Sequence, residues 1–231
     1  MGPVLRHLLV DLDDTLYPAS SGLREEIVRR MNEFVARFLE TDVQTAAEIR
    51  NDLSRRYGTT LSGLIQQFRY THPEEYLAYT HPVEVEQFLR KDPDLRPALE
   101  RVRLPMSILT NSPMEHAERI LRFLGILDLF GRIYDIRFND LQGKPQTSVY
   151  TRVLHDLDLE APKVLLIDNR VDYLLGFAKI GGRVLLVEEG QCEVEPLRQQ
   201  GEDFPCIRNI KELPDYLEGC TDPEMLTGGE T

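Results

Sequence analysis

Cysteine is scarce in this chain: Cys192, Cys206 and Cys220 all lie in its last fifth, at spacings that match neither a disulfide framework nor a zinc site. Reduced thiols in a cytoplasmic protein are the simpler reading. Long apolar runs are missing as well. No stretch approaches the roughly 20 residues that cross a bilayer, and the N-terminus lacks the layout of a signal peptide, so no membrane partner is expected. Positive charge is in short supply, with 27 Lys and Arg against 39 Asp and Glu and a formal net charge of −12. That balance disfavours a nucleic-acid partner but leaves room for a small anionic ligand, provided a local cation offsets the global field. What is present is an ordinary globular composition, 42% hydrophobic and 29% charged, over 231 residues. Such a length serves one large domain or a core with an inserted module.

The most informative segment is an apolar run, Leu8-Leu9-Val10, that ends in three carboxylates within four residues: Asp11, Asp13 and Asp14. The run reads as a buried strand. On extended backbone Asp11 and Asp13 project to the same side, roughly 7 Å apart, while Leu12 turns back to the core. Like charges so placed call for a cation, and a hard divalent ion such as Mg²⁺ suits them; a solvated acidic turn is the plain alternative.

After Pro18 the period changes to that of helices. Leu23, Ile27, Met31, Phe34 and Phe38 form one face, a second helix fits 42–57 with Gly58 as its stop, and a third starts at Thr60. A His-, Pro- and Tyr-rich connection over 71–82 and a short helix over 83–89 complete an inserted helical module. A second strand is expected over 106–110. It is followed by a helix with Ser112 as N-cap, Pro113 at its first position, Glu115 completing a capping box and Gly125 as its stop. Continuous apolar runs over 164–168 and 183–187, separated by a helical stretch over 173–179, indicate strands buried on both faces. The fold class is therefore α/β with a doubly wound parallel sheet. The domains expected are an α/β core of residues 1–17 and 97–215, a helical cap of residues 18–96 and an acidic, mobile tail over 216–231.

Ligands of an open parallel sheet bind beyond the carboxyl ends of its strands. Three such ends are polar here: Asp11 and Asp13, then Thr110-Asn111-Ser112, then Asp168-Asn169. Ser112 already serves as a cap, which leaves Thr110 the better placed for function. Lys144, between Gly143 and Pro145, is either a solvated loop lysine or an ammonium reaching a phosphate or balancing clustered acids.

That ordered set, from Asp11-Leu12-Asp13-Asp14-Thr15 through Thr110 and Lys144-Pro145 to the strand ending in Asp168, resembles the haloacid dehalogenase superfamily across residues 5 to 190. Finer similarity to the pyrimidine 5′-nucleotidase-like branch runs through Leu16-Tyr17, 57–64, Asp94-Leu95-Arg96, and Leu109 to Ala117. The resemblance implies a Rossmann-like core and a cap over the active site. It makes Asp11 the nucleophile that forms an aspartyl-phosphate, Asp13 the general acid and base, Thr110 a donor to phosphoryl oxygen and Lys144 a charge neutraliser. It also implies Mg²⁺ on Asp11, the Asp13 carbonyl and Asp168, with substrate contacts from Thr15, Asn111 and Arg170. The fourth motif departs from the family's paired acids: Asn169 follows Asp168, with Asp172 four residues on as the supporting acid. If Asn169 takes the ligand position instead, metal binding weakens.

The function so implied is Mg²⁺-dependent hydrolysis of a small phosphate monoester, foremost a pyrimidine nucleoside 5′-monophosphate. Phosphosugar or phosphoglycolate hydrolysis, a phosphomutase and a non-catalytic binding module are the alternatives. Substrate choice would fall to cap residues such as Tyr57, Arg69, Tyr70, Tyr76, Tyr79 and His81.

Overall fold

Strand β1 (His7–Val10) is the first of three that form the centre of a six-stranded, all-parallel sheet, seen in a computed structural model that describes residues 4–189 and 205–219. β2 (Met106–Leu109) and β4 (Val164–Asp168) flank it, β3 (Ile133–Tyr134) lies outside β2, and β5 (Arg183–Val187) and β6 (Cys206–Ile207) continue the other side. All four β1 residues are buried, and they alternate. Leu8 and Val10 face one apolar cluster, shared with Ala117, Ile120 and Leu121 of α6 (Met114–Leu124); Leu9 faces another, shared with Val149, Val153, Leu174 and Phe177 of α7 (Thr147–Leu157) and α8 (Val171–Ala178). Helices on both faces are what continuous apolar strands require, and the doubly wound parallel sheet expected from sequence is the one observed.

Four helices follow β1: α1 (Leu23–Phe38), α2 (Val43–Tyr57), α3 (Thr60–Phe68) and α4 (Pro73–Thr80). They enclose a third cluster that includes Phe34, Leu53, Leu61, Leu64 and Tyr76. Asp42 caps α2 by accepting from the Thr45 N–H, and Gly58 ends it at φ 85°, a conformation that glycine adopts without strain.

Several local expectations are corrected. The connection over 71–82 contains α4, which starts on Pro73 with Glu74 and Glu75 in its first turn. The segment 83–89 holds a single 3₁₀ turn, Val85–Gln87, and α5 (Leu95–Glu100) follows. Residues 96 and 97, where core and cap were divided, are neighbours inside α5, whose Leu95 and Leu99 pack in the core beneath the sheet. α9 (Leu213–Gly219) runs through the start of the expected tail; residues 220–231 lie outside the described residues.

Cys206 is disulfide-bonded and not a free thiol, because spacing along the chain does not reveal which cysteines the fold brings within bonding reach. Cys192 and Cys220 lie outside the described residues. With Cys206 goes the redox ground for a cytoplasmic location. Among the described residues no helix is long and apolar enough to cross a membrane.

Candidate active site

The β1 ladder extends one step past the strand, with the Asp11 N–H donating to the Ile167 carbonyl at 2.9 Å. Val10 is in register with Ile167, so Asp11 arrives beside Asp168 at the carboxyl edge of the sheet. Lys144, from the loop before α7, joins them. Its Nζ donates to Asp11 Oδ1 at 2.7 Å, Asp168 Oδ2 at 2.6 Å and the Leu109 carbonyl at 2.8 Å. Those three bonds use every hydrogen of the ammonium.

Lys144 is fully buried, so of its two readings the solvated loop lysine is set aside; Asp168 is equally buried and Asp11 only 6% exposed. Two carboxylates against one ammonium leave an excess of one negative charge out of water. Burial, and then the neighbouring Asp11, push Asp168 up to about 7 in spite of Lys144. Burial likewise raises Asp11 against the pull of Lys144. For Lys144, burial acts to lower the pKa, but the two carboxylates prevail and hold it above its ordinary value.

The residues expected to touch substrate serve largely to brace this cluster. Thr15 is buried and donates its hydroxyl to Asp11 Oδ2 at 3.2 Å. Asn111 clasps the Lys144 backbone, accepting from its N–H at 2.8 Å and donating to its carbonyl at 3.1 Å, and donates also to the Tyr173 hydroxyl at 3.1 Å. Gly143 lets this loop approach: a Cβ there would lie 2.2 Å from Thr59 Cγ2 and 2.9 Å from Asn111 Cγ. Arg170 donates to Asp172 at 3.0 and 2.8 Å and lies 4.4 Å from the centre of the Tyr173 ring. Asp172 is therefore a half-exposed surface partner and does not support Asp168, whose Oδ1 accepts instead from the Arg170 N–H at 2.9 Å. The turn from β4 into α8 carries Asp172 outward. Asn169 is half-buried on the cavity wall.

Asp13 lies on the same cavity with both oxygens engaged. Oδ1 accepts from the Tyr17 hydroxyl at 2.7 Å and from His116 Nε2 at 2.9 Å, and Oδ2 accepts from the Ser112 hydroxyl at 2.6 Å. Burial works to raise its pKa, yet the charge and hydrogen bond of His116, with the hydroxyls of Ser112 and Tyr17, hold the carboxyl well below the usual range. Ser112 is thus not the cap of α6. A carboxylate is a stronger acceptor for its hydroxyl than any neutral alternative, and the helix start is satisfied elsewhere: Met114 N–H donates to Asp135 Oδ2 at 3.0 Å, while Glu115 pairs with Arg137 at 2.8 Å. Thr110, just past β2, accepts from the Ser112 N–H at 3.0 Å and lines the cavity.

The cavity, about 160 Å³, lies between these strand ends and helices α1–α4. Of the six cap residues singled out from sequence, Tyr76 and His81 line it. Tyr70 packs its ring against Phe34 and Phe38, Tyr79 stacks under Arg37, and the Tyr57 hydroxyl turns to Gln67. Sequence reasoning passed over Arg24 and Arg50 on the cavity wall and the parts of Tyr17, Ser112 and His116; their signal lay in partners distant along the chain.

His81 supplies a pH prediction. Burial, then the facing His116 and Arg119, push it down to about 3, outweighing Asp13 and the Leu77 carbonyl. Below pH about 6.5 the unfolded chain takes up a proton that the folded chain refuses, so stability falls with acid by about 1 kcal/mol per pH unit from this group. His81→Gln is expected to flatten urea-unfolding stability between pH 6 and 4; equal slopes in both proteins would refute the assignment.

Among the described residues no three His, Cys, Asp or Glu side chains converge as a metal cage. Two buried carboxylates with an uncompensated charge, both oxygen donors, do fit a hard cation that keeps most of its waters.

A sequence model of haloacid dehalogenase-like hydrolases matches residues 5–181. The chain belongs to that family. Among relatives of this hydrolase, phosphate metabolism protein 8 of Saccharomyces cerevisiae is 22% identical over 232 residues, covering 92% of this chain and 72% of its own. A phosphatase of the family from Thermococcus onnurineus superposes with a TM-score of 0.61 at 18% identity, over 93% of this chain and 99% of its own. An L-2-haloacid dehalogenase from Xanthobacter autotrophicus, with chloropropionic acid covalently bound, gives 0.60 at 16% identity, over 94% and 100%. At such identities the structural likeness speaks for the fold of this haloacid dehalogenase-like hydrolase and leaves its substrate to the site.

Proposed function

We propose that this hydrolase cleaves small phosphate monoesters through an aspartyl-phosphate on Asp11, with Mg²⁺ as its metal. The observation that carries the reading is the pairing on one cavity of a buried, lysine-clamped Asp11 with a second acid, Asp13, two residues on. Displacement at phosphorus releases an alkoxide that needs a proton, and displacement of halide from carbon does not. Asp13 therefore favours ester cleavage over dehalogenation.

Asp11 attacks phosphorus, the bond to the ester oxygen breaks, and Asp13 protonates the departing alkoxide. Asp13, now a carboxylate, takes a proton from the water that attacks the phosphoryl group, which frees phosphate and restores Asp11. At rest Asp13 is an acceptor held by three donors. To carry a proton it must exchange them for substrate, after which burial favours its protonated form. Thr110 would donate to a phosphoryl oxygen, and Lys144 keeps Asp11 aimed and draws it toward its ionised form. Asp11, Asp168 and the Asp13 carbonyl would hold Mg²⁺, which supplies positive charge to the phosphoryl group and to the two acids. For the remainder of the ester, resemblance to the nucleotidase-like branch favours a pyrimidine nucleoside and the phosphoglycolate alternative a carboxylate; Tyr76 and His81 line the wall that would meet either.

The test is release of inorganic phosphate from UMP, CMP, AMP and sugar phosphates, with Mg²⁺ and after chelation. Release that depends on Mg²⁺ is expected from at least one of them. No release from any ester in the presence of the metal would end the proposal.

A further inference from the structure

Three guanidinium groups line the cavity of this acidic protein: Arg24, Arg50 and Arg170. Arg24 faces Asp14 at 3.4 Å and Arg170 faces Asp172 at 2.8 Å. Arg50, on α2, differs. Its Nε donates to Asn32 Oδ1 at 2.7 Å and its Nη2 to Asn51 Oδ1 at 2.6 Å, and among the described residues it has no carboxylate partner. Two neutral amides fix the group in place and leave its charge unanswered. It is half-buried, and burial lowers its pKa against the pull of Tyr76, with repulsion from Arg24 and Arg170 adding to the effect. A cation held at that cost beside a cavity is the complement of an anion.

A second, independent feature lies beside it. Tyr76 is 2% exposed, lines the same cavity, and its hydroxyl has no hydrogen-bond partner. Thr60 acts on its oxygen as a weak donor, outside the geometry of a full hydrogen bond, and the charge of Arg50 reaches the hydroxyl. Burying an unpaired hydroxyl is unfavourable, so its persistence next to an unanswered guanidinium marks a donor pair awaiting one acceptor. Neither group belongs to the Asp11, Asp168 and Lys144 cluster.

We infer that Arg50 and Tyr76 form a subsite for a second anionic group on the substrate, so that the preferred ester carries a carboxylate or a further phosphate besides the phosphoryl group transferred. The inference rests on the phosphomonoesterase reading for its chemistry and on Arg50 and Tyr76 for its selectivity. The phosphoryl group is received by the sheet edge, and the second anion by α2 and α4.

Matched esters test it: 2-phosphoglycolate against 2-hydroxyethyl phosphate, and 3-phosphoglycerate against glycerol 3-phosphate, compared by kcat/KM. The parent protein is expected to prefer the acidic member of at least one pair by roughly tenfold or more, the worth of one charge-assisted hydrogen bond. Arg50→Gln should collapse that ratio, and Tyr76→Phe should reduce it with no loss of thermal stability, since the hydroxyl removed had no partner. Calorimetric binding of phosphonoacetate against ethylphosphonate repeats the comparison without turnover. If no ester is hydrolysed yet Arg50→Gln abolishes a preference for phosphonoacetate, the phosphatase reading fails and the subsite stands. Equal use of both members of each pair, with equal binding of the two phosphonates, overturns the subsite. So does an Arg50→Gln variant that keeps the acidic preference.

Discussion

Asp11→Asn is expected to abolish phosphate release, by at least about 10⁴-fold in kcat, while the protein stays folded and as stable as its parent. A carboxamide of nearly the same shape keeps the place of Asp11 but is no nucleophile, and no neighbouring group can take over the covalent step. The stability half of the result follows from charge. Asp11 is one of two buried carboxylates sharing a single ammonium, and burial already disfavours its ionised form. Neutralising it leaves Lys144 and Asp168 as a balanced pair. Single-turnover phosphate release and a thermal melt read the two halves separately. A variant that retains turnover removes Asp11 from the nucleophile role, and one that fails to fold shows that the charge balance was misjudged.

Lys144→Met, unlike Asp11→Asn, is expected to cost stability, about 3–5 kcal/mol, together with loss of turnover. Methionine fills much of the volume but leaves Asp11, Asp168 and the Leu109 carbonyl without their shared donor, with Asp168 fully buried and Asp11 nearly so. Removing one partner of a buried charge cluster costs far more than the intact cluster contributes. Urea unfolding measures the loss. Added Mg²⁺ should recover part of it, because an ion that binds the folded chain alone stabilises it by mass action, and the two carboxylates are the proposed ligands. A loss below about 1 kcal/mol would mean that the acids find another way to be neutral.

Much of this arrangement could be read in the sequence because its signals are local. An apolar run breaking into acids gave β1 and Asp11, and a three- and four-residue spacing gave α1 to α3. What escaped reading depends on residues far apart in the chain. Ser112 and Glu115 carry a sound capping pattern, but Asp13 and Arg137 offered stronger charged partners and Asp135 supplied the cap. Lys144 between Gly143 and Pro145 reads as loop, and its burial follows only once β1, β2 and β4 present two carboxylates and a carbonyl to it. Thr15 and Asn111 read as polar residues at strand ends, and only the fold shows that they brace Asp11 and Lys144. By contrast, Pro73 with two following acids was a legible helix start overlooked in a His- and Tyr-rich stretch, and Val149, Tyr150, Val153 and Leu154 held the helical spacing of α7 in plain view.

The three hydrogen bonds of Lys144 have a chemical consequence. An amine with every hydrogen committed and its pKa raised has no lone pair to lend. In the folded hydrolase this nitrogen is expected neither to shuttle protons nor to react with acylating reagents, but to act as a stationary positive pole.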